Sequence, residues 1–477
     1  VTLPDAARWR VAQATRASVV VDADAYFRLA REAMLNAKHQ IFLVGWDFDA
    51  RITLAFDDDH AEAPTTVGDF IGWLVERTPT LQVYILRWDK GALKTLGRGR
   101  TLVTLLKWRF FQKRIHLLLD GHHPVAASHH QKIVVIDDCL AFCGGIDMTD
   151  ERWDTRAHRD DDPRRRSPSG FAYKPWHDVT TALEGPVAAA LGDLCRIRWR
   201  IAGGADVAAP PPSDTCWPDS LQPQFRDVDV AISRSQPEHG GLPAILEIER
   251  LYLTLIARAK RRIYAESQYF ASRRIAEAIA LRLAEDDPPE IVVVNPLTAQ
   301  GWLEPIAMDT ARARLVAELR RRDHRGRFRL YHPFTHGGTP IYCHAKVLVV
   351  DEEVIRIGSS NFNNRSLRLD TECDVTIAEG PAQIAAIRDD LIAEHLDVDP
   401  AAVSAGVARD GLIATIERLR GRGKTLVPYE IPDLNAVEKW LADNEVLDAE
   451  GPAEMFEAMS RRRGLLRRLR GKLPQRR

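Results

Sequence analysis

The sequence predicts an α/β protein built from two pseudo-symmetric sandwich halves with mixed sheets that meet at a shared cleft. Three observations carry this. Short apolar strand-like runs alternate with apolar-periodic helical segments, the pattern of helices laid on a sheet. The alternation occurs twice, in the same order. Between the two passes lies Pro210-Pro211-Pro212-Ser213-Asp214, which suits a linker and can continue neither a helix nor a central strand.

Each pass opens on an amphipathic helix, marked by Tyr26, Leu29, Ala33 and Met34 and then by Ile245, Ile248, Leu251 and Leu255. A strand follows: Ile41-Phe42-Leu43-Val44, running into Gly45-Trp46-Asp47-Phe48, and Ile263-Tyr264-Ala265-Glu266, running into Ser267-Gln268-Tyr269-Phe270. After a further helical segment comes a second strand, at 81–86 and 291–294. Next, His130-Gln131-Lys132-Ile133-Val134-Val135-Ile136-Asp137 reappears as His344-Ala345-Lys346-Val347-Leu348-Val349-Val350-Asp351. Both copies reach glycine seven residues past the aspartate, at Gly144-Gly145 and Gly358-Ser359. Each pass closes on a strand, Asp178-Val179-Thr180 or Asp374-Val375-Thr376, and a Gly-Pro break before a helix. The predicted organisation is a first half at 1–203, a Pro-rich linker at 204–225, a second half at 226–400, a helical extension at 401–459 and a basic tail at 460–477.

The chain has 477 residues, 45% hydrophobic and 28% charged, with Gly and Pro dispersed. That excludes a disordered, collagen-like or disulfide-scaffold protein. Charge is not spread evenly. The 66 basic and 67 acidic residues nearly cancel, but residues 460–477 carry nine Lys or Arg and no acid, leaving a body at −10. The six cysteines fall mostly in apolar runs and read as free thiols of a reducing compartment. Cys139 and Cys143 lack a second pair at ligand spacing, so no metal is expected. No stretch approaches the roughly 18 apolar residues that span a bilayer. The expected location is cytoplasmic, with removal of an upstream segment left open because the chain starts at Val1.

A random chain with 15 His, 12 Lys and 41 Asp would hold about 0.03 copies of His-x-Lys-x4-Asp. Two copies with trailing glycines are therefore not accidental. A purely structural repeat does not explain why histidine and lysine, both costly to bury unpaired, begin two strands that are otherwise apolar. In a strand, residues i and i+2 share a face, so His130 projects with Lys132 and His344 with Lys346. Two imidazoles and two ammonium groups in one cleft make a phosphate site. One histidine can attack phosphorus while the other protonates the leaving oxygen, and the lysines offset charge on the non-bridging oxygens.

These residues resemble the phospholipase D superfamily, whose signature is His-x-Lys-x4-Asp followed by Gly-Gly or Gly-Ser. The resemblance extends to Arg152-Trp153-Asp154, Pro175-Trp176-His177-Asp178, the segment 264–270 and Gly358-Ser359-Ser360-Asn361-Phe362-Asn363-Asn364-Arg365-Ser366, and it covers about residues 20–400. It implies a phospholipase D-like fold with the active site between the halves. It also implies metal-independent chemistry through a phosphohistidine, without a cofactor. His130 and His344 are the implied nucleophile and general acid/base, with His130 favoured for attack. Lys132 and Lys346 are the implied phosphate ligands, with Asn361 and the Ser359 hydroxyl as added donors. Asp147 stands at the place matching Asn361, where a carboxylate suits a hydroxylated head group. Asp137 and Asp351 are expected to hold turns, alongside Gly144 and Gly358 as structural motif residues. Each histidine needs a carboxylate to fix its tautomer. The resemblance offers Asp178 and Glu372, while aligning the halves on Val-Thr offers Asp374 as second choice.

The implied activity is cleavage or transfer at a glycerophospholipid phosphodiester. Alternatives are a cardiolipin synthase-type phosphatidyl transferase, a nuclease or other phosphodiesterase, and a catalytically silent membrane-binding scaffold. The acidic body argues against nucleic acid as a partner, and the intact histidines and lysines argue against the scaffold. Leu465, Leu466, Leu469 and Leu473 recur at helical spacing among arginines, so the tail reads as a peripheral contact for an anionic membrane surface or as a segment folded on the acidic body. Trp46, Trp88, Trp153 and Trp176 read as packing or rim residues. His129 reads as structural, the pairs His122-His123 and His332…His336 as loop or rim residues, and the charged run at 160–166 as a solvated insertion or, alternatively, a head-group or partner contact.

Overall fold

The computed structural model describes residues 3–432 except 57–61, 90–100, 102, 106, 109–111, 214–215, 300–307 and 422. The tail at 460–477 and the part of the predicted extension after 432 lie outside the described residues.

The first half contributes β1 (Arg10–Val21), β2 (Gln40–Gly45), β3 (Gln82–Trp88), β4 (Ile115–Asp120), β5 (Ile133–Ile136), β6 (Leu140–Gly144), β7 (Trp176–His177) and β8 (Val179–Glu184). The second contributes β9 (Phe225–Gln236), β10 (Ile245–Leu246), β11 (Arg262–Glu266), β12 (Glu290–Val294), β13 (Phe328–Phe334), β14 (Tyr342–Cys343), β15 (Val347–Val350), β16 (Val354–Gly358), β17 (Glu372–Ile377) and β18 (Thr425–Pro428). Strands in the first half run in the order β4-β3-β2-β5-β6-β8-β1, and the second repeats this as β13-β12-β11-β15-β16-β17-β9. In both, three parallel strands join an antiparallel set, so each sheet is mixed as expected. The parallel strands demand crossovers, and helices Val67–Arg77 and Arg273–Leu283 make the first of these in each half. β1 pairs antiparallel with β9, which fuses the two half-sheets into one continuous sheet.

Apolar runs facing both sides of the strands require cover on both faces. One face carries a separate core for each half, around Phe27, Phe70 and Ile85 and around Leu251, Ile279 and Val316. On the other face, helices Pro186–Ile201 and Pro381–Leu396 close a core common to both halves. Each has proline in its first turn, where the missing N–H is not needed, at the predicted Gly-Pro breaks. Five cysteines are buried, Cys139 is half-buried, and all six are free thiols. No helix among the described residues is long and apolar enough to cross a membrane.

Several expectations are corrected. The extension begins with helices Pro400–Asp410 and Leu412–Leu419, but Thr425–Pro428 is a strand that pairs with β13. It covers an edge that would otherwise expose unpaired backbone. His332 lies buried within β13 and not in a loop. The insertion at 160–166 is not merely solvated: Arg165 is buried against Asp154, and Asp160 accepts hydrogen bonds from Thr335 and from the Gly337 amide of the other half. Trp153 and Trp176 are buried, whereas Trp46 and Trp88 are half-buried and stacked at 5.6 Å.

Candidate active site

The motif aspartates do not face the cleft. Asp137 accepts hydrogen bonds from the amides of Lys38, His39 and Gln40, and Asp351 from those of Lys260, Arg261 and Arg262. Each therefore ties the far end of its motif hairpin to the start of the adjacent strand, β2 or β11. The hairpin turns have positive φ at both central residues, Asp137-Asp138 and Asp351-Glu352. Aspartate tolerates that conformation better than most side chains. At the other end, a Cβ on Gly144 or Gly358 would collide with the backbone of Thr180 or Asp374 on the neighbouring strand.

With both ends of the hairpin pinned, the histidines project from the strand starts, and the opposite half holds each backbone. The His130 amide donates to the Thr371 carbonyl and the His344 amide to the His177 carbonyl, each at 2.8 Å. The side chains cross over too. His130 Nδ1 lies 3.0 and 3.1 Å from the Glu372 carboxylate oxygens and 3.1 Å from the Ser359 carbonyl. His344 Nδ1 lies 2.6 Å from Asp178 Oδ2. Thus each half's histidine is oriented by the carboxylate of the other half. Nδ1 facing a carboxylate carries the proton, which leaves Nε2 as the reactive nitrogen. Among the described residues neither Nε2 is engaged in a hydrogen bond, and the ring centroids stand 6.5 Å apart.

Sheet register decides between the carboxylate candidates. Gly144 faces Thr180 and Gly358 faces Asp374, so Asp178 matches Glu372, each two residues earlier. The Val-Thr alignment is therefore two residues out. Asp374, the second choice, instead accepts from Arg356 Nε at 2.8 Å and Ser360 Oγ at 2.6 Å. Asp178 fits because a Cβ at Gly145 would strike its carboxylate. Glu372 is held by two hydroxyls, Ser359 at 2.6 Å and Ser366 at 2.7 Å. The Ser359 hydroxyl, expected on phosphate, is thus committed to Glu372, because the shared β16–β17 register sets it against that carboxylate.

Lys132 Nζ lies 3.1 Å from Asp147 Oδ2 and donates to the His130 carbonyl at 2.9 Å. Asp147 also accepts from the Trp46 amide, so its carboxylate is occupied on this side and not offered to a head group. Lys346 is fully buried, donates to the His344 carbonyl and lies 3.4 Å from Gln268 Oε1. Asn361 is buried, and among the described residues its Oδ1, an acceptor, has no hydrogen-bond partner.

Burial, with Lys132 and Lys346 nearby, holds His130 well below the usual imidazole range. Burial, with Lys346 and Arg152 nearby, does the same to His344. Both rings are therefore neutral at rest. Burial lowers the Lys346 ammonium to about 7 and raises the Glu372 carboxyl to about 8. Asp178 is also raised by burial.

Three neighbours escaped the sequence reading as site residues. Trp176 lies 5.0 Å from the His344 ring and stacks on Tyr342 at 4.6 Å. The Arg152 guanidinium sits 4.3 Å over Trp176, a cation–π contact. A cavity of about 320 Å³ opens beside Trp176 and Tyr342, walled by Leu297, Ile341 and Lys174. Arg152 and Trp176 stood in the motif segments, where spacing alone gave no hint of their convergence.

A duplicated α/β fold that brings two His-x-Lys-x4-Asp motifs to one cleft, each histidine paired with a carboxylate of the other half, defines the class of protein. The chain belongs to the phospholipase D superfamily. The family model described as phospholipase D matches residues 33–276, and that described as cardiolipin synthase, PLD-like domain, matches 252–392. Phospholipase D alpha 1 of Carica papaya is 26% identical over 486 residues, covering 74% of this chain and 60% of the relative. The Arabidopsis thaliana enzyme of that name is 26% identical over 491 residues with the same coverage. This chain thus spans about 60% of the length of these plant relatives. The crystal structure of phosphatidylserine synthase from Haemophilus influenzae superposes with TM-score 0.56 at 14% identity, covering 93% of this chain and 95% of that one, a likeness of fold.

Proposed function

We propose that this chain cleaves or transfers the phosphodiester of glycerophospholipids through a phosphohistidine. The observation that carries this reading is the crossed pairing of two histidines with two carboxylates around a lysine-lined cleft. In the proposed sequence His130 Nε2 attacks phosphorus and the bond to the head-group oxygen breaks. The negative substrate favours a protonated His344, which Asp178 holds and which gives its Nε2 proton to that oxygen. Water or an alcohol then attacks the phosphohistidine, losing its proton to His344, and His130 is restored. Lys132, Lys346 and Asn361 serve the non-bridging oxygens. No step in this sequence calls on a metal or a cofactor. The short His344–Asp178 contact supports the acid/base role for His344, because an imidazolium gains most from a close carboxylate.

A second reading, phosphatidyl transfer of the cardiolipin synthase kind, draws support from the cavity beside Trp176 and Tyr342, the two rings nearest His344. Its Leu297 and Ile341 wall suits an acceptor with apolar parts. The tail at 460–477 would dock on anionic membrane, consistent with its nine cationic residues.

The test uses the purified chain with phosphatidylcholine and phosphatidylglycerol vesicles, with and without added alcohol, followed by lipid analysis. Phosphatidic acid alone supports the hydrolase, and a phosphatidyl-alcohol or cardiolipin supports the transferase. Cleavage of bis-aryl phosphodiesters or DNA without lipid turnover would overturn both. Removing 460–477 should weaken binding to anionic vesicles and spare a short soluble substrate.

A further inference from the structure

Directly behind the His344–Asp178 pair lies a second cluster of ionisable groups, outside the reacting cleft. Asp22, His158 and His177 from the first half meet Glu394 from the helix Pro381–Leu396 of the second, and all four are buried. We propose that these four side chains form a structural site for one divalent transition-metal ion, with Zn²⁺ the best fit, that locks the two halves together beneath the active site.

Geometry is the first support. His158 Nε2 lies 3.1 Å from Glu394 Oε1 and 3.4 Å from Asp22 Oδ2. His177 Nδ1 lies 2.9 Å from Glu394 Oε1 and 3.3 Å from Asp22 Oδ1. Tetrahedral zinc with bonds of about 2.0–2.1 Å sets its ligand atoms roughly 3.3 Å apart. Each of the four groups offers a ligand atom within 4.8 Å of the others, the nitrogen–oxygen edges lie near the tetrahedral spacing with Asp22 turning a different oxygen to each histidine, and two imidazoles with two carboxylates form a donor set zinc accepts.

The outer contacts are the second support. A metal-bound histidine typically presents its other ring nitrogen to a carboxylate, which fixes its tautomer. Here His158 Nδ1 lies 3.0 Å from Asp154 Oδ2, and His177 Nε2 lies 2.8 Å from Glu266 Oε2. The carboxylate ligands are held as well: Arg156 Nε donates to Glu394 Oε2 at 2.6 Å and the Asp178 amide to Asp22 Oδ1 at 3.1 Å. The third support is an orphan. Asp22 is 1% exposed, and among the described residues its Oδ2 accepts no hydrogen bond, with His158 Nε2 the near group at 3.4 Å, so this oxygen is left to bind a further cation.

The ion acts on the cleft through position alone. The Asp22 carboxylate holds the Asp178 amide, and the His177 carbonyl holds the His344 amide, so Asp22 and His177 are positioning residues for the His344 dyad.

The experiment is elemental analysis of the full chain purified without chelator or added metal, followed by chelator stripping, Zn²⁺ titration and thermal unfolding. The expected result is close to one zinc per chain, with a melting temperature that falls by about 5 °C or more on stripping and returns with Zn²⁺. Replacement by Co²⁺ should give the visible absorption of a tetrahedral nitrogen–oxygen site without a thiolate charge-transfer band. His158→Gln and Glu394→Gln should each lower the bound zinc at least tenfold. If these variants do not fold, the wild-type stoichiometry and cobalt spectrum decide alone. A chain that is metal-free and whose melting temperature ignores Zn²⁺ overturns the proposal, as does a sulfur-ligated cobalt spectrum. None of these readouts depends on lipid turnover.

Discussion

The two histidines share a motif and a backbone setting, yet the frames that aim them differ. His344 meets Asp178 at 2.6 Å, and the Asp178 amide is wired to Asp22 and so to an enclosed ionic cluster drawn from both halves. His130 meets Glu372, whose oxygens are held by the neutral hydroxyls of Ser359 and Ser366, with the Ser359 carbonyl as a second acceptor. A charged frame stabilises an imidazole that must gain and lose a proton. A neutral frame suits one that attacks and is restored. Duplication has kept the geometry of the motif while the supports behind it diverged, and that is where the proposed roles part.

The largest effect should come from the histidines themselves. His130→Ala and His344→Ala should each slow an unactivated phosphodiester by about 10⁴-fold or more. With an aryl phosphodiester, whose leaving group needs no proton, the two should separate. His344→Ala keeps a burst of released phenol and accumulates phosphorylated chain by intact-mass measurement, and His130→Ala gives neither. A burst in the opposite variant would exchange the roles.

The carboxylates provide the next contrast. Asp178→Asn should lower kcat by about 10³-fold, because Asp178 is the one hydrogen-bond acceptor of His344 Nδ1 among the described residues. Glu372→Gln should cost only about ten- to a hundredfold, since the Ser359 carbonyl still takes the His130 Nδ1 proton. Equal losses in kcat would remove the distinction between the frames.

A smaller effect follows from pH. With its ammonium lowered to about 7 by burial, Lys346 loses charge as pH rises through that value. Binding of an anionic diester should then weaken about tenfold per pH unit, while kcat stays flat because the bound anion retains the proton. Lys346→Arg, which stays charged, should abolish this alkaline limb of kcat/KM. Its persistence would point to another group. The smallest change is expected for Ser366→Ala, which removes one hydrogen bond to Glu372 at a cost of about 1 kcal/mol, or roughly fivefold in kcat. A loss above a hundredfold would mean the hydroxyl frame matters as much as the charged one.

The legible part of the site was whatever local patterning encodes. His130 with Lys132, and His344 with Lys346, share strand faces by period two, and the short β-branched apolar runs after them read as buried strands. Gly144 and Gly358 were legible as motif members, though the strands that crowd them were not. Period two could not separate Glu372 from Asp374, because Arg356 on the neighbouring strand takes the latter. Nor could it assign the Ser359 hydroxyl to Glu372, or join Arg152, Trp176 and Tyr342 around His344. The candidate metal ligands at 22, 158, 177 and 394 are too scattered for any spacing rule, and His177 stood in a recognised segment without an assigned role.

By itself, then, the sequence determined the α/β class, the duplication and the paired histidines and lysines. These depend on interactions within a few residues of the chain, namely strand pleat, apolar runs and turn chemistry. The tertiary structure alone decided the crossing. Pairing β1 with β9 sets the halves back to back in the sheet, so Thr371 and Glu372 reach His130 while His177 and Asp178 reach His344. These partners lie more than 160 residues apart, and burial in the common core is what makes their hydrogen bonds strong enough to fix two tautomers.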